Sequence, residues 1–193
     1  AWVYEHLATG NIVANCHKQP QKIFSKQLLS AQQIQASLEH IVALVRERQP
    51  QIKVIFTLSP VRHLRDGAVE NQLSKSLLLC AIHALLGTGT SQKAEGLFYF
   101  PSYEILMDEL RDYRFYKEDM LHPTEQAVQY VWERFVETFF TAEAQSLMQE
   151  VGSIQRALAH LPFNPEGEKH LQFLAALQEK IKKMEEKIRE HSE

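Results

Sequence analysis

Only two cysteines occur in the 193 residues, Cys16 and Cys80. They are too few for a disulfide framework, and each lies in an apolar neighbourhood that suits a reduced, partly buried thiol. That usage fits a reducing, cytoplasmic compartment. No apolar run approaches the ~20 residues of a membrane-spanning helix, so no membrane span is expected. Neither sign of charge dominates. The 21 Lys and Arg stand against 24 Asp and Glu, a formal net charge of -3, and the two signs are interleaved except in the last helix. No blanket attraction to nucleic acid or anionic lipid follows from that. Nine histidines are present without any His-x-x-x-His, and no Cys-x-x-Cys occurs, so no metal ligand is assigned. Nor is there a Gly-x-Ser-x-Gly elbow. Ser59 follows an apolar run, but Pro60 comes next where a nucleophile would need a glycine turn.

With 45% apolar and 23% charged residues, the chain can bury one sizeable core and a small second unit. Ala1 to Tyr4 alternates like a strand end, Thr9-Gly10-Asn11 signals a turn, and Ile12-Val13-Ala14 resumes an extended run. A short hairpin is predicted there. Ser30 is placed as an N-cap for a helix whose Ile34, Leu38, Ile41, Val42 and Val45 recur at helical spacing up to Pro50. Lys53 to Leu58 is short, apolar and rich in β-branched and aromatic residues, the signature of a strand buried on both faces of a parallel sheet. The stripe Leu73, Leu77, Cys80, Ala81, Ala84 and Leu85 predicts a second helix ending at Gly87, with Asn71, Ser74 and Lys75 on its solvent face. Residues 87–96 read as a linker and Leu97 to Phe100 as the next strand.

Past Thr141 the pattern becomes helical. Leu147, Val151, Ile154 and Leu158 precede a break at Leu161-Pro162-Phe163-Asn164-Pro165, after which Leu174, Leu177, Ile181, Met184 and Ile188 repeat at spacings of three and four. A helical hairpin follows. The expected division is an α/β domain over 1–140 and a helical extension over 141–193.

The chemistry concentrates in Lys117-Glu118-Asp119-Met120-Leu121-His122-Pro123. Histidine can take and return a proton near neutral pH, and a carboxylate three residues earlier can fix its tautomer. Pro123 suits the first position of a helix, with His122 at its cap and Ala127, Tyr130, Val131, Phe135, Val136 and Phe139 as the buried stripe. A plain surface loop closed by a proline-initiated helix has the same spacing. Strand exits deliver further candidates, because open α/β sheets keep ligands there. Asn15 and His17 follow the first hairpin; the Asn15 amide could donate to an oxyanion, and both could equally satisfy loop backbone. Arg62 and His63 follow Leu58. An arginine there suits a carboxylate or phosphate, or pairs with Asp66.

Four phrases resemble a known family: Ala14-Asn15-Cys16-His17-Lys18, Leu58-Ser59-Pro60-Val61-Arg62-His63-Leu64-Arg65-Asp66-Gly67, Glu70-Asn71-Gln72-Leu73-Ser74-Lys75, and the run from Tyr103 to Tyr116. Together they resemble the GSCFA domain family, which is similar to the SGNH (GDSL-like) hydrolases. The resemblance implies a doubly wound, flavodoxin-like parallel sheet of SGNH type, here partial. It implies hydrolysis of a small ester or acylated glycan by a Ser-His-Asp triad with Asp119 and His122 as two members, and no cofactor. Asn15, His17, Arg62 and His63 would lie on the substrate or oxyanion side. The Gly-Ser-Cys-Phe-Ala motif expected to carry the serine is not in this sequence, which resembles the C-terminal part of such a domain. The serine is therefore expected outside the chain, leaving the chain alone inactive. An exposed apolar sheet edge or face would be covered by another copy or by the missing N-terminal segment. A non-catalytic binding or scaffold protein on the same fold is the alternative.

Overall fold

Alternating apolar residues at the start of the chain make a strand, β1 (Trp2–His6), which is central to an antiparallel sheet. It pairs on one side with β2 (Ile12–Val13), Tyr4 opposite Val13, and on the other with β3 (Phe24–Leu28), Tyr4 opposite Lys26. The first pairing is the predicted hairpin. The amides of Thr9 and Gly10 close its turn on the His6 carbonyl, at 3.1 and 2.8 Å. β3 was not foreseen, because Phe24-Ser25-Lys26-Gln27-Leu28 is apolar only at its ends and carries no clean alternation. The computed structural model describes residues 1–16, 18–89, 94–162 and 167–190. His17, residues 90–93 of the linker and the Phe163-Asn164-Pro165 part of the break lie outside the described residues.

Helix α1 (Ala31–Arg48) starts as predicted. The Ser30 hydroxyl accepts from the Gln33 amide while the Gln33 side chain accepts from the Ser30 amide, at 3.2 and 2.9 Å. After it come β4 (Val54–Thr57), α2 (Gly67–Leu86) and β5 (Leu97–Phe100), with β4 and β5 parallel and Val54 opposite Leu97. Parallel neighbours need a crossover, which α2 supplies. Val42, Ile82, Leu86 and Leu97 form the core of this layer, joined by Leu38, Val54, Phe56, Leu85 and Tyr99 from both helices and both strands. The other face is different. Ile55 and Phe98, register partners there, are exposed, so β4 is not buried on both faces as expected.

The buried face of α2 is also rotated from the expected stripe. Leu73, Cys80 and Ala84 are exposed, whereas Asn71, Lys75, Ala81, Ile82 and Leu86 are buried. Leu77, Leu78 and Leu79 make the helix apolar almost all round, so periodicity could not choose a side. Polar partners on the β4 exit loop chose it, as described below. Gly87 ends the helix in the left-handed conformation, φ 69°, its amide reaching back to the Ala84 and His83 carbonyls.

After β5 the chain makes a short helix, α3 (Ser102–Glu104), that widens into a π turn over Ile105–Glu109 and then a 3-10 turn over Tyr113–Phe115. Helix α4 (Glu125–Phe139) begins two residues later than expected. Pro123 is bridged antiparallel to Tyr116, and the helix is capped by Thr124, whose hydroxyl accepts from the Ala127 amide at 3.4 Å. His122 therefore lies in a loop rather than on a first helical turn.

The chain divides into two compact units, Ala1–Trp132 and Glu133–Glu193. The second contains the end of α4, then α5 (Ala142–Leu158) and α6 (Glu168–Glu190). Ile154, Leu177 and Met184 are its buried core, packed with Leu147, Val151, Ala157 and Ile181. Lys187 pairs with Glu150 at 2.7 Å, and Lys180 donates to the Ser153 hydroxyl at 2.8 Å, tying the two helices along their polar edges. Leu158 and Ile188 of the expected stripes are exposed. Among the described residues the protein is thus mixed α/β, with one small parallel sheet, one antiparallel sheet and six helices, none of them long and apolar enough to cross a membrane.

Leu106, in the π turn, is 1% exposed and, among the described residues, is the largest side chain so completely enclosed. Leu106→Ala should lower unfolding free energy by about 2–5 kcal/mol, read from the shift of the urea midpoint at constant slope.

Candidate functional site

Asp119 and His122 are in direct contact. Asp119 Oδ2 lies 2.6 Å from His122 Nδ1, and Asp119 Oδ1 accepts from the backbone amides of Leu121 and His122, at 2.9 and 3.0 Å. One carboxylate thereby closes the turn and holds the ring. The loop is fastened at its base as well: the Lys117 amide donates to the His122 carbonyl at 2.8 Å, and the Thr124 amide donates to the Phe115 carbonyl at 2.9 Å. Such a tight return forces Met120 to φ 59°, a left-handed conformation that costs a non-glycine residue about 1–2 kcal/mol. The hydrogen bonds to Asp119 offset it.

Those same bonds set the charge. Backbone donation from His122, then its side chain, then backbone donation from Leu121 lower the Asp119 pKa to about 2. The group is ionised at any ordinary pH, and an ionised carboxylate can only accept. Nδ1 must then carry the proton in this contact. When the ring is neutral, Nε2 is left with its lone pair free. The pair is open to solvent, with His122 and Asp119 side chains 56% and 45% exposed.

A cavity of about 400 Å³ opens beside this loop, lined by Tyr116 and Met120 from the loop and by Arg62, Met107, Arg111 and Tyr113. Asp112 also reaches it. Arg62 lines a second cavity with His63, Leu64 and Asn71, and His63 and Asn71 continue into a third with Ser59, Lys26 and Lys75. The structure thus brings Arg62 to the Asp119–His122 loop and sets His63 on the adjoining cavities. Asn15 is exposed and follows Ala14, which lines the third cavity.

Two buried polar side chains of α2 shape the β4 exit, and the sequence had put both on a solvent face. Asn71 and Lys75 are each 7% exposed. Asn71 Oδ1 accepts from the His63 amide at 2.9 Å, and Lys75 Nζ donates to the Ser59 carbonyl at 2.6 Å. Positions four apart share a helix face, so one face clamps the loop at both ends. Burial, followed by the nearby charge of Arg62, lowers the Lys75 pKa. The expected Arg62–Asp66 pair is not formed: Asp66 is engaged by Lys26 and lies 3.6 Å from His63 Nδ1, while Arg62 Nη2 faces Met107 Sδ at 3.6 Å.

Arg111, Tyr113 and Met107 went unrecognised in the sequence. They sit in an acidic, aromatic stretch with no spacing that marks them, and only the π turn brings them to Arg62. Among the described residues no group of three or more His, Cys, Asp or Glu is arranged to hold a metal ion.

A mixed α/β unit that carries an aspartate-held histidine on a loop whose Tyr116 and Met120 line a cavity is the class that fold and site define. Residues 1–135 match the GSCFA family and residues 151–192 match the C-terminal domain of GSCFA domain proteins, so the chain belongs to the GSCFA family. No curated protein and no solved structure matches it.

Two measurements follow. The Asp119 carboxyl carbon should show no protonation shift by NMR between neutral pH and about pH 3.5, where an ordinary aspartate is more than half protonated. The sign is that of a depressed pKa. The loop's stabilisation is complete above the ordinary value of 3.8 and is lost only as pH falls towards 2. A midpoint near 3.8 would mean the three donors are not engaged. Separately, Asn71→Leu leaves the partly buried His63 amide without its acceptor and should cost about 1 kcal/mol in urea unfolding.

Proposed function

We propose that this chain is part of a serine-type hydrolase of SGNH character, acting on an ester or O-acyl group of a small molecule or an acylated glycan. The β4–α2–β5 unit would belong to a doubly wound sheet completed by residues outside this sequence. The observation that carries the reading is the 2.6 Å contact between His122 Nδ1 and Asp119 Oδ2. It fixes the tautomer that a general base needs, with Nε2 facing outward as acceptor. In the proposed reaction a serine hydroxyl, contributed from outside these 193 residues, gives its proton to Nε2 as its oxygen attacks the acyl carbon. The imidazolium then returns that proton to the leaving alkoxide. Water, activated by the same nitrogen, releases the acyl group. Asn15 is the proposed side-chain donor to the oxyanion, and a substrate-side role is proposed for His17 and His63.

A second reading is supported by one observation. Among the described residues His122 has no serine bonded to its ring, and Ser59 Oγ accepts from the Val61 amide at 3.3 Å while Ser102 Oγ donates to the Leu58 carbonyl at 2.8 Å. A binding or scaffold role on the same fold would leave the ring in this state permanently.

Turnover of a short-chain aryl ester decides between them. The chain joined to a Gly-Ser-Cys-Phe-Ala segment should hydrolyse it, and the 193 residues alone should not. His122→Ala should lower kcat of the extended form to background, and Asp119→Asn should lower it by about 100- to 10,000-fold. Asp119, its pKa lowered to about 2, should add no step to the pH profile of the rate above about pH 3. No turnover by either form would favour the scaffold. Turnover by the 193 residues alone that depends on His122 would place the nucleophile within them.

A further inference from the structure

We infer that the cavity beside His122 takes an oxyanion, so that the ester acted on carries a carboxylate or phosphate group held by Arg62 and Arg111; the inference rests on the hydrolase reading for its term "ester" but not for the anion site itself. Both arginines line the 400 Å³ cavity. Among the described residues neither has a carboxylate within ion-pair distance: Arg62 reaches only the Met107 sulfur at 3.6 Å, and Arg111 makes no ion pair. An arginine placed to stabilise a fold finds an acid or a row of carbonyls, as Arg134 does with Glu137 at 2.7 Å. Asp66, three residues from the end of the β4 loop, would be the obvious partner for Arg62, yet it is occupied by Lys26.

The one carboxylate on the cavity wall, Asp112, is engaged from the other side. Its Oδ1 accepts from the Arg114 amide at 3.0 Å, and its Oδ2 lies 3.6 Å from Arg114 Nε. Two arginines thus line the space with one partly neutralised acid. The remaining wall is soft and aromatic, Tyr113 and Tyr116 with Met107 and Met120. That combination of a planar cationic fork and an apolar face fits a compact anion attached to a ring or short alkyl group. Tyr116 and Met120 belong to the loop that holds His122, so an anion fixed here lies against that loop.

The test is binding, which needs no turnover. Benzoate, phenyl phosphate and the neutral isostere benzamide are titrated into the protein and followed by amide chemical shifts of residues 107–122. At least one of the two anions should bind ten-fold or more tightly than benzamide, with an affinity that falls as salt is added; the tighter of the two identifies the oxyanion. Arg62→Gln and Arg111→Gln should each weaken that anion by about 10-fold or more while leaving benzamide unchanged. Arg65→Gln, which removes the same charge outside the cavity, should bind as the unaltered protein does. Equal binding of anions and benzamide, no binding at all, or an equal loss in Arg65→Gln overturns the anion site. Anion binding that persists when the extended protein shows no ester turnover leaves the site standing and removes the hydrolase; His122-dependent turnover of a neutral ester without anion binding does the reverse.

Discussion

The exit of β4 is held by two side chains of the helix that follows it. Without Asn71 on the His63 amide and Lys75 on the Ser59 carbonyl, residues 59–63 would carry backbone groups into a partly buried space with nothing to bond. Their clamp fixes the loop at both ends and so fixes where Arg62 leaves it. It also fixes the rotation of α2, because these two polar groups must face inward. Ala81, Ile82 and Leu86 then follow on the buried side and meet Val42 and Leu97. The polar contact at the start of the helix and the apolar core at its end are one choice of face.

The histidine loop is built on a different logic. Its bonds join residues at most ten apart, from Arg114 to Thr124, so its shape is a local property of the sequence. That is why Asp119 and His122 were legible together. A carboxylate three residues before a histidine can reach both the intervening amides and the ring, whatever the rest of the chain does. Met120 was not legible in the same way. Nothing in a methionine announces a positive φ, which arises only from the closure of the turn.

The same division runs through the fold. The α1 cap, the β4 and β5 strands, the Gly87 stop and the hairpin of the second unit all rest on local chemistry or strong periodicity, and the sequence carried them. What it missed depends on partners distant in the chain. Phe24–Leu28 becomes a strand because Trp2–His6 offers an edge, not because its own alternation demands it. α4 starts at Glu125 because Pro123 is taken by Tyr116. The inward turn of Lys75 could not be read from composition, since a lysine near a helix start is ordinarily solvated, and it is the Ser59 carbonyl and the Tyr103 ring, both distant in sequence, that give it a reason to be buried. Arg111 comes to Arg62 through a π turn that no spacing rule marks.

The two best-placed charges near the site are tuned by opposite means. Lys75 is shifted mainly by burial, so anything that wets the β4 exit would move it back towards its ordinary behaviour. Asp119 is shifted by three donors while remaining solvent-exposed. Its charge therefore does not depend on being covered. A segment or substrate that docks over the pair would strengthen the Asp119–His122 attraction by excluding water, but it would find the carboxylate already ionised and the imidazole already in the tautomer with Nε2 outward. Under the proposed hydrolase reading, an exposed pair that stands ready suits a base awaiting its nucleophile. A pair requiring burial to acquire its charge state would have to be assembled at the moment of docking, with that reorganisation added to the barrier.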